Sequence, residues 1–273
     1  MSRKFKRVVA IADMHCGHYV GITPPQFQIS AAEFDDDDNP RIAKHWRKIE
    51  QAQDRTWLEY MALVKKLRPV DCLCVVGDCI DGKGYKSGGS EQITSDRDMQ
   101  CEMASMSIRR WKADKIAMVR GTPYHVGASE AWENEVADRV GADQISGHNW
   151  ITVNGVVFDL KHKVSASSVP HGRHTAIARQ RLWNLLWAER GIYPKADILL
   201  RGHVHYHSFC GGPGWLAVTL PALEGPGSKF GVEQCDGVVD WGVVSFNVYD
   251  DGSYTWQDHS VELVAEPVKP LVV

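Results

Sequence analysis

Short apolar runs alternate along this chain with amphipathic stretches, and each run breaks off at a polar residue. Val8-Val9-Ala10-Ile11-Ala12 ends in Asp13, and the run from Val70 to Val76 ends in Gly77-Asp78. Ile116 to Val119 ends in Arg120-Gly121, and Ala196 to Leu200 ends in Arg201-Gly202-His203. Continuous apolar runs of this length predict strands covered on both faces. Between the first two runs, Ile42, Trp46, Ile49, Gln53, Trp57, Tyr60, Val64 and Leu67 recur at three- and four-residue spacing, which predicts a helix. Its start is expected at Pro40, capped by Asp38 or Asn39, and Pro69 stops it. Further helices are expected over about 92–113 and 174–190. Strands at 150–153 and 156–161 flank Asn154-Gly155, a strong hairpin signal, and later strands are expected near 215–219, 242–249 and 254–260.

Residues 19–39 contain two prolines and Asp35-Asp36-Asp37-Asp38, and are expected to form a mobile acidic surface loop. A Gly/Ser-rich loop follows at 82–90. There is no internal repeat and no linker composition, so residues 1–273 read as a single α/β domain. Ligands of α/β sheets bind beyond the carboxyl ends of the strands. Four strands that each finish in a polar loop therefore predict one shared site.

Composition narrows the picture. Hydrophobic residues make up 44% and charged residues 24%, enough for a sizeable core. A net charge of -3 excludes a global basic field that would hold nucleic acid or an anionic membrane, and leaves a local basic groove open. The seven cysteines are odd in number and include no CxxC pair, and Cys72 and Cys74 alternate as buried strand thiols would. That argues for a reducing, cytoplasmic setting. The apolar run before Asp13 is only five residues, too short for a leader, and no stretch approaches a membrane span.

The chemistry sits where the apolar runs stop. Asp13-Met14-His15 puts a carboxylate and an imidazole at i and i+2, on one face of an extended chain. Gly77-Asp78-Cys79-Ile80-Asp81 follows a sharp turn, and Asp78 offers two oxygens. The strand at 156–161 runs into His162, and Gly202-His203-Val204-His205 supplies a second i, i+2 pair. Each piece alone is weak, since a lone DxH is as often a surface pair or a helix cap. The ordered set is specific to a metal centre, and its imidazoles and carboxylates suit zinc, manganese or iron.

In these motifs the chain resembles the calcineurin-like metallophosphoesterase family over residues 12–206. The resemblance implies a four-layer α/β/β/α sandwich with two mixed sheets and two metals at its crest. It assigns Asp13, His15 and His205 to a first metal, His162 and His203 to a second, and Asp78 to both, with Asp81 orienting the site from outside. The family usually carries Gly-Asn-His after its third strand, where Asn binds the second metal and His faces the leaving group. Here the stretch reads Gly121-Thr122-Pro123-Tyr124-His125. Thr122 would then offer the metal a neutral hydroxyl, and His125 would serve as general acid, as a ligand of the second metal, or as neither. Phage-type members look similar, with a GDxIDGKG-like second motif and a GT-x-x-H third motif. Protein phosphatases of the family carry Arg after the second Asp of GDxxD, and this chain has Gly82 there.

The expected reaction is hydrolysis of a phosphate ester by two divalent cations, Mn2+, Zn2+ or Fe2+, that share and activate a bridging hydroxide. A phosphodiesterase or nuclease is favoured, with nucleic acid or a nucleotide among the candidate substrates. The alternatives are a phosphomonoesterase of the same fold and a catalytically weakened metal-binding scaffold. No Walker loop is present. His18 and Arg173 are candidate substrate contacts, Arg173 because it opens a helix whose N-terminus suits a phosphate, with His171 and His174 beside it. The plain alternatives are a solvated loop histidine and an ordinary polar cap. His207 is expected to be no ligand, Lys83 and Lys86 to be solvated or to touch a polyanion, and the ten tryptophans to pack in the core.

Overall fold

A computed structural model describes residues 3–34, 39–85, 88–127, 131–167, 169–229, 231 and 238–263. The aspartates of 35–38 and Lys86 lie outside the described residues. Strands β1 (Phe5–Ile11), β2 (Cys72–Val76), β3 (Lys115–Val119) and β4 (Gln144–Ser146) run parallel in one sheet. Strands β10 (Val244–Tyr249) and β11 (Tyr254–Asp258) extend it antiparallel, giving the order β11-β10-β1-β2-β3-β4. The second sheet has the order β5-β6-β7-β9-β8, from β5 (Asn149–Val153), β6 (Val156–Lys161), β7 (Ile198–Arg201), β8 (Ser208–Gly212) and β9 (Trp215–Thr219).

The strict alternation of side chains along a strand assembles the layers. Val8 and Ala10 of β1, Cys72, Cys74 and Val76 of β2, and Phe246 of β10 turn to one face and meet Phe158, Leu160, Ile198 and Leu200 of the second sheet. Phe158 and Phe246 close this inter-sheet core edge to face, with ring centroids 5.3 Å apart. Truncating either to Ala removes a fully buried ring, which costs about 3–5 kcal/mol. Val9 and Ile11 of β1 and Leu73 and Val75 of β2 turn the other way, onto α1 (Pro40–Leu67) and α2 (Arg97–Arg109). Trp57, Tyr60, Val64, Met103 and Ile108 cover them. On the far side, Ile177 of α5 (Gly172–Glu189) packs on Leu199 and Ala217. The result is a four-layer α/β/β/α sandwich of two mixed sheets.

Several local expectations shift. The helix read at 92–113 starts only at Arg97, because Asp96 caps it by accepting from the amides of Asp98 and Met99. In α1 the buried stripe passes through Ala43, and Ile42 faces solvent. The described part of the 19–39 segment forms two short 3-10 turns, Pro25–Phe27 and Ala31–Phe34, and it is tied to α1. Gln53 accepts from the Ile29 amide at 2.9 Å and donates to the Tyr19 carbonyl at 3.1 Å, while Phe34 stacks on Trp46. Helices α3 (Pro123–Val126) and α4 (Ala131–Val140) and strands β4 and β8 went unforeseen, being short or weakly periodic. Trp57, Trp111 and Trp241 are buried as expected, whereas Trp183 stands on the outer face of α5. The free thiols of Cys72 and Cys74 are buried side by side in β2. Among the described residues, no helix is long and apolar enough to cross a membrane.

Candidate metal centre

The carboxyl ends of β1, β2, β3, β6 and β7 meet at one edge of the sandwich, and the chain leaves them through a strained backbone. Asp13, His15, Asp78, His203 and His205 all take positive φ, between 43° and 77°. Only two other non-glycine residues among those described, Lys112 and Asn154, do so. Left-handed backbone disfavours a side chain and persists where the surroundings enforce it, commonly at functional sites. Here the enforcement is a ladder between loops, with the Asp13 amide donating to Gly77 and the His15 amide to Asp78, both at 3.0 Å. The glycines permit the approach. A Cβ on Gly121 would stand 2.0 Å from Oδ1 of Asp78, and one on Gly77 2.5 Å from Nδ1 of His162.

This geometry brings the six expected ligands together in two adjoining groups. Asp13, His15 and His205 form one, and Asp78, His162 and His203 the other, each with ligand atoms within 4.8 Å of one another. His15 Nε2 lies 3.3 Å from His205 Nε2, which lies 3.3 Å from Asp13 Oδ1. His162 Nε2 sits 3.0 Å from Asp78 Oδ2 and 4.0 Å from Asp13 Oδ1. A third group joins His15, Asp78 and His125, so the displaced histidine does reach the site, on the His15 side of Asp78.

The outward nitrogens decide what the inward ones can do. His162 Nδ1 donates to the Val76 carbonyl at 2.8 Å, His205 Nδ1 faces Glu224 at 3.0 Å, and His15 Nδ1 faces Asp81 at 3.4 Å. With Nδ1 turned outward, each imidazole points Nε2 inward, where it would offer a lone pair to a cation once that nitrogen has given up any proton. Those nitrogens and two buried carboxylates share one small space, an arrangement that requires protons or a cation between them. The donor set therefore fits divalent metal ions, with nitrogen and oxygen ligands and no thiolate.

The charges respond as such crowding requires. Burial pushes the Asp78 carboxyl up, but His162, His125 and His15 outweigh it and hold it well below the usual range. The same contest, won mainly by His205, lowers Asp13. Burial alone lowers His162, yet Asp78 and Asp13 raise it to about 10. His203 is pushed down to about 4, by burial first and then by neighbouring His162.

Around the ligands lies a ring of polar side chains. Asp81 reaches His15 and His125, its other oxygen accepts from Gln92 at 2.8 Å, and its carbonyl accepts from His125 Nδ1 at 2.8 Å. Thr122 gives Asp78 both its amide and its hydroxyl. Two carboxylates that sequence reasoning missed complete the ring. Glu133 of α4, fully buried, accepts from the amides of Cys79 and Gly121 and so ties the loop after β2 to the loop after β3. Burial and Asp78 raise its carboxyl to about 7. Glu224 bridges His205 and His18. Neither is flanked by a motif, and Glu224 follows an apolar stretch after β9 with no spacing signal.

The remaining candidates fall outside the ligand groups. His18 is buried between Glu224 and Glu91, so it is no solvated loop histidine. Arg173 stacks its guanidinium over Tyr206, 4.1 Å from the ring centroid. His171 is exposed, and His174 is engaged with Ser208 and the Phe209 carbonyl. His207 donates its amide to Asp240 and sets Nδ1 against the Thr219 carbonyl, and it joins no ligand group. Lys83 is exposed.

No family model matches the chain, and no curated protein matches it by sequence. Solved structures of related shape include the zinc complex of Vps29 from Entamoeba histolytica, 14% identical over 93% of this chain and 98% of that one, with a TM-score of 0.44. An archaeal phosphodiesterase is 12% identical over 92% and 99%, with a TM-score of 0.41. A Streptococcus pneumoniae protein described as a predicted phosphoesterase is 10% identical over 95% and 100%, with a TM-score of 0.38. Likeness this weak says nothing about the site, which rests on the strands and side chains above. Two packed mixed sheets, crested by DxH, GDxxD, His and GHxH in that order, give this chain the architecture of the calcineurin-like metallophosphoesterases.

Proposed function

We propose that this chain is a dimetal-dependent phosphoesterase, with phosphodiesters, nucleic acid or nucleotides among them, as its substrates. One observation carries the reading: His15, His162 and His205 each turn Nδ1 outward, His162 onto the Val76 carbonyl and the other two towards carboxylates, and present Nε2 to a space shared with Asp13 and Asp78. Asp13, His15 and His205 would hold one cation, His162 and His203 the other, and Asp78 both. Manganese, zinc or iron bound there would lower the pKa of a shared water and neutralise charge on the phosphoryl oxygens. The protein's own task is to orient and to move protons. Asp81 fixes His15 and His125 together, through contacts of 3.4 and 3.5 Å. His125 holds its Nδ1 proton on the Asp81 carbonyl, which leaves Nε2 to protonate the departing alkoxide. No side-chain nucleophile is needed.

The test is to strip the protein, reload it with manganese, zinc or iron, and assay bis(p-nitrophenyl) phosphate against p-nitrophenyl phosphate. The expected outcome is turnover of the diester, abolished by Asp78→Asn with the far-UV circular dichroism unchanged. Turnover of the monoester alone would make it a phosphomonoesterase. The rival reading, a metal-binding scaffold, draws on Thr122, whose hydroxyl is turned to Asp78 where the family carries Asn. Stoichiometric metal without turnover of any ester would establish that rival.

A further inference from the structure

Helix α5 buries Ala176 and Ile177 in its first half, but in its second half it buries polar side chains and exposes apolar ones. Arg181 and Asn184 face inward, where Arg181 donates to the Ala196 carbonyl and Asn184 accepts from the Ala196 amide and donates to Pro194. Outward stand Leu182, Trp183, Leu185 and Leu186, with exposures of 56%, 51%, 39% and 46%, and Ile192 follows just beyond the helix at 55%. A helix that packs on its own sheet puts its large apolar residues there. A contiguous apolar face turned away from the domain marks an interaction surface.

The pattern on that face selects its occupant. Arg179, Leu182, Leu186 and Glu189 are spaced three, four and three residues apart, a single stripe of the kind that seats helix on helix, with Trp183 and Leu185 on its flanks. Arg179 and Glu189 are both exposed, and neither meets an opposite charge in its own chain among the described residues. The stripe is complementary to itself when reversed. Laid antiparallel across a two-fold axis on the outer face, level with position 184, Leu182 meets the partner's Leu186, and Arg179 meets the partner's Glu189. Each contact then occurs twice, as an isologous interface requires. Parallel pairing would instead oppose Arg179 to Arg179 and Glu189 to Glu189.

We infer that two copies of this chain associate through α5, antiparallel, with Leu182 and Leu186 at the centre and the Arg179–Glu189 pairs at the ends. The experiment is sedimentation velocity and light scattering on the full, metal-loaded chain. The expected mass is twice the 30.5 kDa of one chain, and Leu186→Glu should return it to that single value. Arg179→Glu and Glu189→Arg change exposed side chains and should leave the fold intact by circular dichroism. Each alone sets like charges at both ends and should dissociate the dimer. Mixed together, the two variants should restore it as a heterodimer, and the double variant should dimerise on its own. A wild type that stays monomeric at high protein concentration would overturn the proposal. So would a dimer indifferent to Leu186→Glu, or charge variants that do not recombine on mixing.

Discussion

The Thr122 hydroxyl lies 3.1 and 3.2 Å from the two oxygens of Asp78, and the Thr122 amide donates to Oδ1 at 2.7 Å. One residue thus fixes the plane of a carboxylate that belongs both to the group with His162 and His203 and to the group with His15 and His125. Thr122→Val keeps the shape and the amide bond but removes the hydroxyl. Metal affinity is expected to fall roughly tenfold, in the range seen when a residue supporting a metal ligand is lost. Thr122→Ser, which keeps the hydroxyl, should bind like the wild type. Metal titration with a competing chromophore reads both, and equal affinities for the Val and Thr proteins would sink the idea.

Glu224 does for His205 what Asp81 does for His15. It is buried, 3.0 Å from His205 Nδ1, and its own amide donates to the Asp13 carbonyl at 2.8 Å. Burial pushes this carboxyl up, but His15, His18 and His205 together bring it down to about 2, so it is ionised wherever the protein works. Glu224→Gln keeps the volume and loses the charge that holds the proton on Nδ1. Metal affinity should drop about 10–100-fold. Burial lowers the His205 ring, but Asp13 and Glu224 raise it well above 6.5, so in the metal-free variant its nitrogen-15 shifts should titrate at lower pH than in the wild type. An unchanged titration in the variant would mean that Glu224 does not hold the His205 ring.

His125 has one job to be told from another. It touches Asp81 and lies edge-on to His15, with ring centroids 4.5 Å apart. If it donates a proton to the leaving group, His125→Asn should lower kcat for alkyl diesters by about 10²–10⁴-fold. The loss should shrink for p-nitrophenyl esters, whose leaving group needs no proton, and metal content should stay at the wild-type level. Loss of one equivalent of metal would make His125 a ligand instead.

The sandwich was open to reading because its inner strands are buried on both faces, and a run such as Val8 to Ala12 advertises that without help from its neighbours. Five of the six ligands were open for the same reason, since each follows such a run, while His162 follows the mixed strand Val156–Lys161. What stayed hidden depends on distant pairing. Glu133 matters because α4 carries it to the amides of Cys79 and Gly121, some 54 and 12 residues away, and no local pattern encodes that arrival. His125 looked displaced in the sequence, yet the turn of α3 returns it to the His15 side of the site. Trp183 misled because helical spacing says which residues share a face and not which face is turned inward.

Loading the metal-free protein should release protons. Burial lowers the pKa of His162, but Asp78 and then Asp13 outweigh it and raise it to about 10, while Asp78 and Asp81 raise His125 to about 9 against the same opposition. Both folded values lie above the roughly 6.5 of an unfolded histidine. These protons therefore stabilise the metal-free fold fully below about pH 6.5, and that contribution is lost as pH rises through about 9 to 10. A cation at His162 Nε2 must displace its proton first. Calorimetry at pH 7.5 in buffers of different ionisation enthalpy should show heats that change with the buffer, at a slope that reports proton release. Apparent affinity should rise by roughly tenfold per pH unit while that proton is in competition. The gain in Tm on metal loading should grow over the same interval. Heats independent of buffer would mean that His162 is already neutral before the metal arrives.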